Sequence, residues 1–561
     1  MSRFNTRSAR PTVFSPVTTT GRTTTNHQGT VGHLRDARSE LFLLAVANFV
    51  GTDTFYEAGG ERDDRYTALV RTVAVEDPAW MVEFVRWLRH EANMRSAALV
   101  AAAETVKGRL DAGLDRVPTT SVRTATMSEV GARTLTVTGG TGYSRKVVDA
   151  ALARADEPGE LLGYWTARYG RAVPKPIKRG IADAVRRLYN ERSLLKYDTA
   201  SKGYRFGDVI ELVHPAPEAT WQGELFKHAI DRRHNRDEVI PDGLSVLQAA
   251  KTLSHLPVAD RRAYVLNPSL VASPGGLAGA GFTWERLAGW LQGPMDAAAW
   301  AAIVPSMGYM ALLRNLRNLD EAGVPDDVAE RVAARLADPE EVARSGQFPF
   351  RFYAAHKAVQ SLRWGHALEK ALRASLANVP ALPGRTLVLV DQSPSMFPGY
   401  PFSTANTSDI TLADKAKLFG SALALRAADA DLVGYGIANY TVPFHRSDAV
   451  LTAMGRFHME DGTDTPAAIR DHYKNHDRVV IVTDEQTGNM WTRTGLTVDS
   501  TVPANVPVYT WNLAGYRTGH APSGAANRHT FGGLTDAAFR MIPLLESGRS
   551  ATWPWEQRAA A

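Results

Sequence analysis

Oxygen-bearing side chains follow an apolar segment near the start of the last third of the chain. Residues 386–390 read Thr-Leu-Val-Leu-Val and run directly into Asp391-Gln-Ser393-Pro-Ser395. A strand that ends at the carboxyl edge of a parallel sheet would place this carboxylate and both hydroxyls around one point. Carboxylate, hydroxyl and water oxygens are the ligands that suit Mg²⁺. The motif therefore predicts a site for Mg²⁺ or another divalent cation.

Two later segments supply further ligands of the same kind. Thr463 precedes a helix-like stretch that opens at residue 465, and Asp484 follows the strand-like residues 478–483. The five predicted ligands are Asp391, Ser393, Ser395, Thr463 and Asp484. Their order and setting resemble the metal-ion-dependent adhesion site of von Willebrand factor A domains, although Asp461 stands where that family usually has a second glycine. The alternative is that these residues only cap helices on an unrelated Rossmann-like sheet.

Length and composition limit the classes of protein that remain. A chain of 561 residues is too long for one core and predicts several domains. Because it contains no cysteine, disulfides, cysteine-based zinc sites and thiol catalysis are excluded. Apolar runs such as residues 41–50 are half of the ~20 residues that a membrane span needs, and residues 1–16 lack a hydrophobic signal core. We expect a cytoplasmic protein without membrane contact.

The pattern of residues divides the chain into four regions. Residues 1–30 are rich in Thr, Arg and Ser without any acid, which predicts a disordered basic arm, either a solubilising tail or a tether for polyanions. Residues 31–380 show helical periodicity broken by short Gly, Pro or Asp stretches, which predicts stacked helical repeats. Residues 381–550 alternate strands and helices, which predicts a doubly wound α/β domain. Residues 551–561 form a tail, so the predicted class is α plus α/β.

Within the α/β region, the sequence pattern predicts individual strands and helices. Strands are predicted at residues 386–390, 431–437, 478–483 and 507–512, and helices at residues 411–428, from residue 465, and at residues 535–545. A long loop over residues 397–409 would lie beside the predicted metal site, where it either gates the site or is plainly disordered, and we favour the first.

Basic charge is concentrated in the first part of the chain. Residues 381–561 carry 15 Lys and Arg against 17 Asp and Glu, whereas residues 1–380 carry 49 against 42. The densest basic stretch, residues 163–205, has 11 Lys and Arg, only three acids and interleaved aromatic residues. Ile177, Ile181 and Val185 share one helical face, which directs Lys178 and Arg179 toward solvent. This stretch is either an ordinary solvated helix surface or a contact surface for a phosphate backbone, and we favour the second.

Several short segments together resemble the TROVE module of the Ro ribonucleoprotein and its bacterial relatives. The resemblance spans residues 27–380 and continues into the adhesion-type domain, the same two-part order as in that family. A longer N-terminal arm and the Pro- and Lys-rich residues 174–178 depart from the pattern. The segments that carry the resemblance are residues 54–57 with 61–66, 169–172 with 181–183, 207–214, and 310–316.

The resemblance implies a HEAT-like helical-repeat solenoid that closes into a ring. Such a ring would bind small noncoding Y-type RNA on its outer surface and single-stranded 3′ ends of misfolded RNA in its hole, in RNA quality control with a 3′-to-5′ exoribonuclease. His214 precedes Pro215, so it either contacts RNA or merely ends a helix. Arg314 either faces the hole or pairs with Asp320. The predicted RNA-binding residues are Arg171, Lys175, Lys178, Arg179, Lys196, Lys202, Arg205, His214 and Arg314.

No catalytic motif is present in the sequence. A phosphate-binding loop, a metalloprotease helix and a nucleophile elbow are all missing, and the candidate bases His458 and His472 belong to no recognisable motif. We therefore expect an RNA-binding scaffold without enzymatic activity, whose Mg²⁺ module recruits a partner through an acidic side chain. The alternatives are a metal-dependent adhesion or chaperone adaptor with incidental basic charge, and a metal-dependent nuclease.

Overall fold

A computed structural model describes most of the chain and divides it into two compact units. Unit 1 comprises Met1–Leu69, Gly346–Ala358 and Leu368–Ala561, and unit 2 comprises Val70–Ser345 and Val359–Ala367. Among the described residues, none of the helices has the length and apolar character that crossing a lipid bilayer requires. The described residues are 13–47, 53–116, 122–126, 134–138, 142–236, 239–359, 361–377, 379–397, 410–488, 496–533 and 540–556.

Most strands belong to unit 1, and β3 with β4 forms an antiparallel pair in unit 2. The strands are β1 (Thr19–Thr25), β2 (Val31–Arg35), β3 (Val122–Thr126), β4 (Thr134–Thr138), β5 (Arg385–Asp391), β6 (Asp429–Tyr435), β7 (Asn439–Thr441), β8 (Arg478–Thr483), β9 (Val508–Asn512), β10 (Thr518–Gly519) and β11 (Arg528–Gly532).

Helices dominate unit 2 and flank the sheet of unit 1. The helices up to residue 303 are α1 (Ala37–Ala47), α2 (Gly59–Glu76), α3 (Pro78–His90), α4 (Arg95–Asp111), α5 (Gly142–Ala151), α6 (Glu157–Tyr169), α7 (Lys175–Leu188), α8 (Glu191–Tyr197), α9 (Phe206–Val213), α10 (Thr220–Arg233), α11 (Ser245–Ser254), α12 (Val258–Val265), α13 (Pro268–Val271), α14 (Trp284–Leu291) and α15 (Ala297–Ile303). The later helices are α16 (Tyr309–Arg314), α17 (Leu316–Glu321), α18 (Asp326–Ala337), α19 (Pro339–Ser345), α20 (Pro349–Ala358), α21 (Gly365–Ser375), α22 (Leu412–Arg426), α23 (Val450–Met454), α24 (Thr465–His472), α25 (Val498–Thr501) and α26 (Met541–Glu546).

The larger sheet of unit 1 has the order β11-β9-β8-β5-β6-β7 within the described residues, and only β7 runs antiparallel to its neighbour. Its central strands are mostly apolar, as in parallel sheets that are covered on both faces, and every residue of β8 is buried. The four strands predicted for this region are present. Helix α22 packs closely on β5, since a Cβ atom added at Gly420 would overlap the Val390 side chain.

The N-terminal segment differs from its predicted disorder. Strand β1 pairs with β2, and β2 pairs with β10, so the described part of this segment completes a three-stranded sheet in unit 1. Residues 1–12 lie outside the described residues. The predicted division at residue 380 differs as well, because unit 1 is assembled from both ends of the chain. Three predicted features, the gating loop and parts of the last helix and the tail, fall largely or partly outside the described residues.

Unit 2 is built from helices with one apolar face, as the periodicity predicts. In α3, for example, Trp80, Phe84 and Leu88 are all buried. Packing is close where α7 meets α5: a Cβ atom added at Gly180 would lie 2.6 Å from a Val148 side-chain atom. Buried polar groups also join helices, since the Glu104 carboxylate accepts hydrogen bonds from Arg71 Nε and the Tyr164 hydroxyl, each at 2.7 Å, and from the Tyr169 hydroxyl.

Candidate metal centre and nucleic-acid interface

The predicted metal ligands lie at the carboxyl edge of the large sheet, and we call the five of them the acidic edge. Asp391 ends β5 and Thr483 ends the neighbouring parallel strand β8. The Thr483 hydroxyl donates to Asp391 Oδ2 at 2.6 Å, and the backbone N–H of Ser393 donates to Asp391 Oδ1 at 2.9 Å. Ser393 Oγ lies 3.2 Å from Ser395 Oγ. The first motif therefore gathers one carboxylate and two hydroxyls in the predicted manner.

Asp484 adds a second buried carboxylate to the same edge. Its Oδ1 accepts from the backbone N–H of Gln486 at 2.9 Å, whereas its buried Oδ2 has no hydrogen-bond partner among the described residues. Burial and then the charge of Asp391 raise the pKa of Asp484 to about 7, and burial also raises the pKa of Asp391. Two neighbouring carboxylates that share a dry site, one with an unpartnered oxygen, fit a divalent cation.

Thr463 reaches this edge through its backbone. Its carbonyl accepts from the N–H of Gly488 at 3.0 Å, which fixes residue 463 against the loop that follows Asp484. Among the described residues, no group of three or more His, Cys, Asp and Glu side chains is arranged to hold a metal. A cation here would therefore depend on two carboxylates supplemented by hydroxyls and water, the donor set that suits Mg²⁺.

Sequence reasoning missed Tyr56, which approaches the acidic edge from the segment before α2. Its hydroxyl accepts from the Gln28 side-chain amide and lies close to Ser395. Burial, reinforced by the charges of Asp484 and Asp391, raises the pKa of Tyr56 to about 12. A tyrosine more than 300 residues away in the sequence gives no pattern that links it to these motifs.

The two candidate bases considered in the sequence are engaged with other groups. His458 Nε2 lies 3.1 Å from Glu460 Oε1, and its ring stacks on Tyr440. His472 Nε2 lies 2.7 Å from Asn439 Oδ1. These contacts give both imidazoles roles that need no substrate.

The basic residues of the 163–205 stretch form two sets, which differ in whether their side chains have a partner in the structure. Six have anionic or carbonyl partners: Arg168 with Glu104, Arg186 with Asp183, Arg187 with Asp149, Arg192 with the carbonyl of Ala278, Lys202 with Glu160, and Arg205 with Asp198. The other five have no acidic partner within ion-pair distance among the described residues, and we call them the free cations. They are Arg171, Lys175, Lys178, Arg179 and Lys196.

Most of the free cations cluster along the chain at the start of α7. Arg171, Lys175 and Arg179 are exposed and Lys178 is partly exposed, while the opposite side of α7 buries its apolar residues. Lys196 is exposed near the end of α8, with its Nζ 5.2 Å from the centroid of the Tyr197 ring. Uncompensated, solvent-facing cations with an adjacent aromatic ring are suited to a phosphate backbone and its bases.

Three further predicted RNA-binding residues lie outside the set of free cations. Arg205 donates to Asp198, a carboxylate whose side chain is 1% exposed, so this arginine compensates a buried charge. His214 is exposed and ends α9 in the left-handed region with φ +49°. Arg314 is exposed, and Asp320 instead accepts from Trp364 Nε1 at 2.9 Å, so the proposed pairing of Arg314 with Asp320 is not formed.

Sequence reasoning also missed a basic cleft in unit 2. It has a volume of about 510 Å³ and is lined by α8, α10, α11 and α14. Arg286 is half-buried there, its guanidinium 4.7 Å from the centroid of Phe282, and burial and then the charge of Arg232 lower its pKa. Lys251 is exposed, and neither it nor Arg286 has an acidic partner within the described part of the chain. The cleft lies beside α8, which carries Lys196, but its cations are too far apart in the sequence to form a motif.

Comparisons with known proteins found a matching domain model, two partial relatives and a solved structure of similar fold. A model of the TROVE domain matches residues 280–380. A segment of 82 residues, 14% of the chain, is 39% identical to telomerase protein component 1 of Mus musculus, and the protein of the same name from Rattus norvegicus matches to the same extent. The match spans 3% of the length of these relatives. The Deinococcus radiodurans RO (RSR) protein shares the fold, with a TM-score of 0.55 and 17% identity over 90% of this chain and 100% of that one.

The comparisons thus identify one matching domain and one shared fold. A helix-rich region followed by a mixed α/β sheet is the architecture shared with the RO (RSR) protein. The domain match covers residues 280–380, and the likeness to the RO (RSR) protein is one of fold.

Proposed function

We propose that this protein is the RNA-binding component of a ribonucleoprotein. The observation that carries the proposal is the set of free cations on and before α7 and on α8, in a chain with a TROVE match. Duplex RNA is recognised mainly by its shape and phosphate charge, and single strands by charge together with stacking on aromatic or guanidinium planes. The free cations suit the phosphate contacts of both modes, and the cleft around Arg286 suits the stacking that single strands add.

The finer parts of the proposal follow from the resemblance to the Ro family. Small noncoding Y-type RNA binds the outer helical surface, and single-stranded 3′ ends of misfolded RNA enter the hole of a closed helical-repeat ring. The protein acts in RNA quality control in the cytoplasm, together with a 3′-to-5′ exoribonuclease.

The acidic edge has a separate role in this proposal. Asp391, Asp484 and the nearby hydroxyls would hold Mg²⁺ in a von Willebrand factor A-like domain, where a bound cation would attract a partner's carboxylate. The residues of this edge position the cation and carry out no chemical step. The unpartnered Oδ2 of Asp484 is the observation that favours this second function.

Salt dependence of RNA affinity tests the RNA-binding role. Five phosphate contacts with single-stranded RNA predict that log K falls with log salt concentration with a slope of about −3.5. A K178E/R179E/K196E variant should lose affinity and flatten that slope by about 2. The matched control is R317E/R331E/R344E, which reverses three exposed arginines on other helices of the same unit and leaves the five free cations intact.

Equal affinities and slopes for the two triple variants would refute the assignment of the RNA surface to the free cations. Crosslinking and sequencing of co-purified RNA then shows which RNAs depend on that surface. Chelator separates the alternatives: an adaptor loses its protein partner when chelator is added but responds weakly to salt. A nuclease would shorten RNA unaided in the presence of Mg²⁺, and the proposal predicts that RNA incubated with the purified protein keeps its length.

A further inference from the structure

All five residues of the acidic edge are closed off from solvent. Asp391, Ser393 and Asp484 are 0% exposed, Ser395 is 2% exposed and Thr463 is 3% exposed. A partner's carboxylate cannot reach a cation at this edge while these side chains are covered. Part of the covering comes from the turn between β1 and β2, residues 26–30, which we call the hairpin tip.

The hairpin tip lies on the loop that directly follows Asp484. Asn26 Nδ2 donates to the carbonyl of Thr487 at 2.8 Å, and the Thr30 hydroxyl donates to the same carbonyl at 2.7 Å. The backbone N–H of His27 donates to Gln486 Oε1 at 3.2 Å. Contact is tight at the end of this loop, since a Cβ atom added at Gly488 would lie 2.5 Å from Gln28 Cβ.

Tyr56 fills the space between the hairpin tip and the acidic edge. Its ring stacks on His27, with centroids 5.1 Å apart and an interplanar angle of 9°, and it meets Tyr516 edge-on at 5.6 Å. Its hydroxyl accepts from the Gln28 amide and lies close to Ser395. The chain thus places one of its own oxygen atoms beside the predicted ligands.

The tip and the base of the hairpin are held by different kinds of contact. At the base, Arg35 forms a buried ion pair with Glu485, whose carboxylate also accepts from Asn512, and Arg35 donates to the carbonyl of Tyr516 at 3.1 Å. At the tip, the hydrogen bonds to the loop join neutral groups, and His27 and Gly29 are exposed. Charge-assisted buried contacts are the stronger kind, so local opening would begin at the tip.

From this arrangement we propose that the hairpin tip and Tyr56 are a built-in cap over the acidic edge, which opens about the fixed base of the hairpin to admit a partner's carboxylate. The docking role of the edge rests on the proposed function, whereas the cap itself is a property of the metal-free chain. Opening exposes Ser395 and Asp484, and closing returns the Tyr56 hydroxyl to its place beside Ser395.

Because the chain has no cysteine, one introduced thiol reports directly on this opening. In an S395C background, we expect slow reaction with a soluble thiol reagent while the cap is closed. N26A/Q28A removes tip contacts, and G488A inserts a methyl group against Gln28. Each should speed labelling at least tenfold. The control T24A changes an exposed residue of β1 away from the tip and should leave the rate unchanged.

Equal labelling rates in all these variants, or fast labelling with the hairpin intact, would overturn the cap. If S395C does not fold, hydrogen exchange of residues 484–488 in otherwise unaltered chains gives the same comparison. A second arm loads Mn²⁺ and follows its release into excess chelator, which the loosened variants should also accelerate at least tenfold. Absence of Mn²⁺ binding would count against the proposed metal role alone, because the labelling arm judges the cap without metal.

Discussion

Replacing Asp391 with asparagine should stabilise the metal-free protein at alkaline pH and remove its response to Mg²⁺. The substituted amide keeps an acceptor for the N–H of Ser393, and the Thr483 hydroxyl can rotate to accept from the amide N–H. The substitution therefore removes a like charge beside Asp484 with little loss of hydrogen bonding. Most substitutions at fully buried polar residues act in the opposite direction.

The magnitude follows from the pKa of Asp484, which is raised from 3.8 to about 7. The folded state retains a proton that the unfolded state has already lost between these values, so stability falls as pH rises through this window. At about 1.4 kcal/mol per pKa unit, the full effect is roughly 4 kcal/mol. Burial contributes most to the raised pKa of Asp484, and the charge of Asp391 is the second contribution. Asp391→Asn should thus recover less than half of this lost free energy of unfolding, about 1–2 kcal/mol.

Thermal unfolding in chelator and in Mg²⁺, at about pH 5 and about pH 8, measures these effects. The unaltered protein in chelator should be less stable at the higher pH. Mg²⁺ should raise its Tm mainly there, because the cation offsets the negative charge that Asp484 gains when it loses its proton. The control D429N removes an exposed acid at the start of β6, far along the strand from the acidic edge, and should leave the Mg²⁺ response intact. A D391N variant that melts lower in chelator at both pH values, with an unchanged response to Mg²⁺, would refute the reasoning.

Three further substitutions separate structural from RNA-binding roles. E104Q should lower the free energy of unfolding by about 2–4 kcal/mol in chemical denaturation, because an amide cannot accept all the hydrogen bonds that converge on this carboxylate. R205A should lower the free energy of unfolding by about 1–3 kcal/mol, because the buried Asp198 loses one of the two arginines that pair with it, whereas K178A should weaken RNA binding at unchanged Tm. H214G should raise stability by roughly 0.5–1 kcal/mol, since glycine adopts positive φ without strain, and a loss of RNA affinity in the same variant would show that the imidazole contacts RNA. A fall in Tm for H214G would contradict the first part.

The acidic edge could be predicted because each of its motifs is a short, continuous segment of the sequence. Asp391 and Asp484 each follow an uninterrupted apolar strand, and parallel strands end at a common edge, so two short motifs suffice to bring them together. Tyr56 and the hairpin tip were not predictable. Strand β1 is made of threonines and other polar residues that bury no apolar face, and β2 finds its second partner in β10, more than 480 residues away.

The basic stretch shows a second limit of sequence reasoning. Charge density correctly identifies residues 163–205 as unusual, but it does not separate Lys178, which has no acidic partner among the residues described, from Arg205, which compensates a buried aspartate. That distinction depends on which acids the packing of other helices brings nearby, as with the pairing of Lys202 and Glu160. The basic cleft was missed for the same reason, because Arg286 and Lys251 meet only through tertiary structure.

The pairing of β2 with β10 delays the completion of unit 1 during synthesis. Unit 2 is nearly continuous in the chain, whereas unit 1 needs residues from the first 69 positions and from the last 194. On the ribosome, the early hairpin must therefore wait, with one strand edge unpaired, until β10 has emerged. The threonine-rich β1 and the polar residues His33 and Arg35 of β2 suit that interval, because polar and charged side chains make a strand edge resist pairing with strands of other nascent chains.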